Sequence, residues 1–363
     1  MYIDNLRIFL TSWVILHHLA ITYGAPGGWY YQEMKASELE TIPLSMFVAV
    51  NQAFFMGMFF MISAYFMVPS LLKKGKAVFL KDRLLRLGIP TVIFFFFLHP
   101  LTVFIRNKFI YSEDVTLYNY IFESRVWGAG PMWFVMALIA FSLVASIFKF
   151  SGDKSPKPLP SAFKVILMAM VIAIAQFLFR IWLPVGWSMP ITNWQLPHFG
   201  QYIVFFLVGL VAYRNDWFDQ LTPKLGWRWF WSTQVIIFIG FPVIFISGGA
   251  MEGNIDVFMG GLTWQSLAYT LWEQFVGIGM VIALSGIFKE RFNSQGNFTK
   301  QLSASAYAVY VFHTPILVLI GLLFLSLELG SIAKFVALAP ITLILCFGLG
   351  LVIKRMPFVK SVF

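Results

Sequence analysis

The chain has 363 residues, 59% of them hydrophobic and 12% charged, with a net charge of +10 and a mean hydropathy of +0.79. This composition lies outside the soluble globular range and excludes a sizeable soluble domain, because the segments between apolar stretches are too short to build a core of their own. A single cysteine, Cys346, excludes a disulfide framework, and membrane topology with anionic lipid accounts for the positive charge without nucleic acid.

Apolar stretches long enough to cross about 30 Å of hydrocarbon fall near residues 5–24, 43–71, 88–105, 131–148, 163–183, 197–213, 229–249, 263–287, 303–325 and 335–353. The reading is an all-α polytopic membrane protein of about ten transmembrane helices, a single domain over 1–363 with no fused soluble domain. The first stretch carries Asp4 and two histidines and precedes no small-residue cleavage site, so it reads as a retained helix rather than a signal peptide. With the N-terminus inside, alternate connections collect 20 of the 26 basic residues on the inner side, from Arg7 through Lys73–Arg86 and Lys149–Lys164 to Lys354, Arg355 and Lys360. The other six, Lys35, Arg106, Lys108, Arg125, Arg180 and Lys334, fall outside. That asymmetry predicts cytoplasmic N- and C-termini.

Taken in chain order, the first helix holds the most informative pair. Arg7 and His18 are eleven residues apart, which on an α-helix places them within about 20° of one stripe and about 16 Å apart along the axis. With Arg7 at the membrane surface, His18 lies near mid-depth, where an ionisable group is costly and marks a functional site. His17 points about 100° away from it. The outer loop Ala25-Pro-Gly-Gly-Trp-Tyr-Tyr-Gln-Glu offers Trp29 either as an interfacial anchor or as a platform for a sugar ring. Asn51, Gln52 and, at the far end of the fifth helix, Arg180 are polar groups in the outer half that could meet an acceptor or bond neighbouring helices. On the inner side Arg83 and Arg86, at i and i+3, project from one face. Their guanidinium forks suit a phosphorylated cytoplasmic ligand or a lipid headgroup.

Deeper in the chain, Glu273 and His313 each lie about ten residues into a helix and are expected at the depth of His18. An acid beside His18 would fix its tautomer and stabilise the imidazolium. His99 and His198 flank prolines and read as structural. No His/Glu or His/Asp pair has helical ligand spacing, so neither a metal site nor a bound cofactor is expected. No internal repeat is visible, which counts against a transporter.

The ordered set of motifs resembles the membrane acyltransferase-3 family. Asp4-Asn-Leu-Arg, with a histidine eleven residues after Arg7, is similar to that family's opening helix; Phe60-Met-Ile-Ser-Ala-Tyr-Phe, Arg83-Leu-Leu-Arg-Leu-Gly-Ile-Pro, Gly130-Pro-Met-Trp-Phe and Tyr307-Ala-Val-Tyr-Val-Phe-His-Thr-Pro follow in the family's order. Tyr23-Gly-Ala-Pro-Gly-Gly-Trp-Tyr-Tyr resembles the glucan biosynthesis protein C branch, which modifies periplasmic glucans. The chain departs from the usual pattern at Ala64, where the family has glycine, and at Met132, where leucine is commoner.

The resemblance implies a multi-pass O-acyltransferase of the bacterial cytoplasmic (inner) membrane. It would move an acetyl or succinyl group from cytoplasmic acyl-CoA to a hydroxyl of an extracytoplasmic glycan. Carried over by position, His18 is the catalytic histidine and Arg7, Arg83 and Arg86 serve the donor; His18 would act as general base or as acyl carrier, and Glu273, if its helix brings it close, would be the supporting acid. Arg180, Trp29 and His313 are left for the acceptor. The partners are then acyl-CoA, the glycan and membrane lipids, and the sequence is silent on oligomeric state. Two rival readings use the same residues: a proton-coupled transporter or flippase for an anionic glycolipid, with His18, Glu273 and His313 as relay, and a non-catalytic membrane scaffold.

Overall fold

The computed structural model describes residues 1–359 and 362; Lys360, counted above with the inner basic residues, lies outside them. Ten helical rods coincide with the ten apolar stretches. In chain order they are α1 (Tyr2–Thr22), α2 (Glu38–Lys74), α3 (Lys76–Ile110), α4 (Gly130–Ala145), α5 (Ala162–Arg180), α6 (Leu196–Asn215), α7 (Pro223–Ser247), α8 (Trp264–Arg291), α9 (Asn297–Leu323) and α10 (Ser331–Arg355). Eight are long and apolar enough to span a membrane. Of the other two, α4 is short, and α1 carries Asp4, Arg7 and two histidines among its 21 residues. No strand occurs among the described residues.

Local chemistry explains the helix ends and bends. Ser161, Thr222 and Thr263 cap α5, α7 and α8 by accepting the backbone N–H three residues on. In α3 a π turn at Leu84–Gly88 precedes Pro90, another at Phe94–Leu98 precedes Pro100, and in α7 one at Ile236–Gly240 precedes Pro242. Each proline lacks an N–H and crowds the carbonyl four residues back, so the ladder slips to i→i+5 just ahead of it. The third rod therefore begins at Lys76, well before the 88–105 expected from hydropathy, and Arg83 and Arg86 sit within it rather than in the loop before it.

The central rod is α8, whose apolar window is 83% buried, against 17% for α7 and 28% for α5 at the lipid-facing rim. Glycines let its neighbours approach. A Cβ at Gly277 would lie 2.2 Å from the Ala53 carbonyl of α2, and one at Gly209 of α6 would lie 2.2 Å from the Met61 carbonyl. Without a hydrophobic drive between helices in lipid, such close contact supplies the packing.

Connections gather at two ends. At one, Asn5 Nδ2 donates to Phe292 O (2.6 Å) and Ser294 O (2.9 Å), and Lys289 Nζ to Asp219 O (2.6 Å). This is the arginine- and lysine-rich end. At the other, Asn193 Nδ2 donates to Gly130 O (3.2 Å), Val185 N to Met259 O (2.7 Å) and Ile332 N to Glu40 Oε1 (3.0 Å). There Glu33 is also ion-paired with Lys334.

Candidate active site

At the basic-poor end the first connection folds back over the end of α1. Gly24 (φ +110°) and Gly27 (φ +150°) take conformations closed to other residues, and a Cβ at Gly27 would strike Ile21 Cδ1 at 2.6 Å. The reversal lays Trp29 flat on His18, with centroids 3.8 Å apart and planes at 14°. His313, from α9, lies parallel to the same ring at 5.4 Å and 17°. Trp29 and His313 are themselves 5.8 Å apart. Two helices and a loop thus bring together three of the expected residues, His18, Trp29 and His313. The loop is held down by the pair Glu33–Lys334, both side chains nearly inaccessible; burial pushes the Glu33 carboxyl above its ordinary range, and Lys334 pulls it back only in part.

The nitrogen inventory shows what this cluster offers. His313 Nδ1 lies 2.6 Å from the Tyr310 carbonyl. A carbonyl only accepts, so Nδ1 carries the proton and the bare nitrogen is Nε2, which is buried without a partner. His18 Nδ1 is likewise buried and unpartnered. Buried polar atoms are normally satisfied, and His17 Nδ1 is a third orphan; His17 and His18 both stand in the wall of a cavity, with His313 behind them, which singles out this cluster as the candidate site.

That cavity has a volume of about 1170 Å³ and is walled by both His17 and His18, by Trp29, and by residues of every connection at the basic-poor end except that between α9 and α10. His17, expected on another face, packs at 5.1 Å against Phe55 of α2 and still reaches the cavity. Tyr310 of α9 and Gln52 of α2 complete the wall near the histidines, Gln52 donating to Tyr202 Oη at 2.9 Å.

Glu273 and Arg180 do not join His18. The Arg180 guanidinium is fully buried and donates from Nη2 to Glu273 Oε2 (2.6 Å), from Nη1 to Thr270 Oγ1 (3.1 Å) and from Nε to Pro197 O (3.3 Å). Gln176 Nε2 donates to the same Oε2 at 2.9 Å. His198 Nδ1 lies 2.9 Å from Glu273 Oε1 and 3.1 Å from Arg180 Nη2. Guanidinium only donates and carboxylate only accepts. A protonated Nδ1 facing Oε1 is therefore the consistent arrangement, because Oε1 has no other partner. A cation and an anion this deep must pair with each other, and that requirement takes both away from the roles expected of them: Glu273 does not support His18, and Arg180 is closed to an acceptor. Their contact with the cavity is indirect, through His198, which lies in its wall.

Arg7, Arg83 and Arg86, the arginines expected to serve a donor, stand at the opposite, basic-rich end. Arg7 pairs loosely with Asp4 at 3.9 Å, Arg83 lies 5.3 Å over the Phe79 ring, and Arg86 is exposed. No ion pair or hydrogen bond joins Arg7 to the other two, and none of the three lines the cavity.

Sequence reasoning read His99 as structural and gave Tyr30 and Arg106 no role at a site. All three line the cavity. The Tyr30 phenol, pushed up by burial and so protonated, donates to His99 Nδ1 at 2.6 Å, and Arg106 Nη1 donates to the Tyr30 carbonyl at 3.0 Å. Arg106 was visible only as one of six outer basic residues; nothing in the spacing marks it as a wall residue.

A bundle of apolar helices, with unpartnered imidazoles in the wall of a cavity at one end, defines an all-α polytopic membrane protein. The family model described as acyltransferase domain matches residues 1–351, so the chain belongs to that family and is an acyltransferase. Comparison with curated proteins gave no match, and neither did comparison with solved structures.

Proposed function

We propose that the protein moves an acyl group from cytoplasmic acyl-CoA to a hydroxyl of an extracytoplasmic glycan, with His18 at the point of transfer. The observation that carries this reading is His18 itself, in the wall of a cavity at the basic-poor end, stacked on Trp29 and 5.4 Å from His313, with a ring nitrogen left unpartnered. The charge asymmetry supports reading that end as extracytoplasmic. An indole lying flat at the cavity wall is a surface on which a sugar ring stacks, and the likeness of the Trp29 loop to the glucan biosynthesis branch points the same way.

On the inner face Arg7, Arg83 and Arg86 receive the donor phosphates, and the thioester end rises along α1 by the roughly 16 Å that separates Arg7 from His18. His18 takes the proton from the acceptor hydroxyl as its oxygen attacks the thioester carbon. The C–S bond breaks, the thiolate leaves, and the imidazolium returns the proton to sulfur, giving an ester and free CoA. In the two-step variant the imidazole attacks first, releases CoA, and passes the acyl group to the hydroxyl. His313 and Trp29 hold the acceptor. With Glu273 bound to Arg180 and His198, the transporter reading loses the middle link of its relay, and transfer is favoured. The single domain and an inner-membrane location complete the proposal.

Purified protein incubated with labelled acyl-CoA and a β-glucan should release CoA and label the glycan. His18→Ala should lower CoA release by about a hundredfold or more while its unfolding temperature stays near that of the parent. Full activity in that variant would remove the central claim. Label retained on the parent protein after denaturation identifies the acyl-histidine route.

A further inference from the structure

The outer half of the molecule holds six basic residues, and the structure accounts for them unevenly. Arg180 is paired with Glu273, Lys334 with Glu33, and Lys108 with Asp114. Among the described residues Arg106, Lys35 and Arg125 have no carboxylate partner, and of these only Arg106 lines the cavity. It is the single lysine or arginine in that wall. Its Nε donates to Asn107 Oδ1 (2.7 Å) and its Nη1 to the Tyr30 carbonyl (3.0 Å), both neutral acceptors. Its Cζ lies 5.6 Å over the Tyr111 ring. Nη2 has no hydrogen bond and is not among the buried orphan atoms, so it remains accessible. The guanidinium is thus oriented on two edges while keeping its charge and one donor nitrogen uncommitted. Glu38, the one carboxylate in the wall, is exposed at the start of α2 and makes no ion pair with Arg106.

Tyr30, whose carbonyl holds Arg106, follows Trp29, the ring stacked on His18. A half-buried arginine near a membrane surface normally finds a carboxylate or a lipid phosphate. One fixed by neutral groups in the wall of a cavity, with a donor nitrogen uncommitted, is arranged as an anion receptor, since guanidinium matches carboxylate and phosphate oxygens. We propose that Arg106 binds an anionic oxygen group of the substrate, and so selects for reactants bearing one. Two sources share that chemistry: the terminal carboxylate of a dicarboxylic acyl group on the donor, and a phosphate or carboxylate on the acceptor. The inference deepens the transfer reading, on which it rests for its substrates.

The test compares the full-length parent with Arg106→Gln and Arg106→Lys in detergent or nanodiscs. CoA release is measured with succinyl-CoA and acetyl-CoA on a neutral glucan, and with acetyl-CoA on neutral and phosphorylated glucans. If the donor carries the anion, the succinyl-to-acetyl ratio of kcat/KM falls tenfold or more in Arg106→Gln, the change expected for loss of a charge-assisted bond, and Arg106→Lys recovers part of it. If the acceptor carries it, the phosphorylated-to-neutral ratio falls instead. Equal losses on all substrates would assign Arg106 to holding Tyr30 and overturn the proposal, as would ratios that do not change. In parallel, succinate and glucose phosphate are titrated against tryptophan fluorescence, with glucose as the neutral control. Saturable quenching by an anion, lost in Arg106→Gln, sustains the receptor even if no acyl-CoA is turned over, an outcome that would defeat the transfer reading alone. Absence of both anion binding and anion preference defeats the receptor alone.

Discussion

At the scale of single residues, the molecule separates two kinds of buried polarity. Glu273 and Arg180 are mutually neutralised and bonded on nearly every edge, which is how a charged pair survives among apolar helices. His18 and His313 each keep a nitrogen in reserve. The distinction yields a contrast between variants. Glu273→Gln leaves Arg180 buried beside a neutral amide and should destabilise the protein by about 3–5 kcal/mol, read as a fall in unfolding temperature with a parallel loss of activity. His313→Gln should leave the unfolding temperature within a few degrees of the parent and act chiefly on the KM for the acceptor. A stable, fully active Glu273→Gln protein would show that the pair does not carry the fold. The shared stripe of Arg7 and His18 was legible from spacing alone, because a helix converts eleven residues into a fixed angle and rise. The partners of Glu273 were not, since depth along a helix says nothing about azimuth: Glu273 and His313 were equally deep on paper, and only one of them faces His18.

At the scale of elements, ten apolar stretches were readable because a bilayer imposes both length and composition. Their ends were less so: α3 runs as one rod from Lys76, since polar Lys81–Arg86 continues a helix that hydropathy would start later. The contacts between rods turn on glycine. Gly209→Leu would drive its side chain into the Met61 carbonyl and the Ala64 methyl, the latter already 2.8 Å from an added Cβ, and force α6 from α2. A loss of about 1–3 kcal/mol follows from such overpacking, measurable by thermal unfolding in detergent. Gly88→Leu is the control: nothing lies within 4 Å of its added Cβ, and stability should change by less than half of that.

At the scale of the whole molecule, the charge count is the ground for proposing which end faces which side of the membrane. The only native cysteine is buried, so single-cysteine reporters can be read on a quiet background. In intact cells Lys35→Cys should react with a membrane-impermeant maleimide, whereas Lys224→Cys should react only after permeabilisation. The reverse pattern would invert the molecule, place the His18 cavity in the cytoplasm, and remove the glycan from reach. Family membership came from residues 1–351 taken together, which is why motifs weak singly were informative in order.

The first helix, α1, contains neither proline nor π turn from Tyr2 to Thr22, unlike α3. Nothing between the basic-rich end and the histidine can absorb a change in winding, so α1 fixes a phase as well as a length. One alanine inserted between Arg7 and His18 would advance the histidine by only about 1.5 Å yet turn it by about 100° relative to Arg7. If the N-terminal half keeps its packing, that rotation takes His18 away from Trp29; if the C-terminal half keeps it, Arg7 turns away from its surface. A single residue of the blandest kind, far from either partner, would thus break the fixed phase between Arg7 and His18 while leaving hydropathy, charge and helix content nearly unchanged.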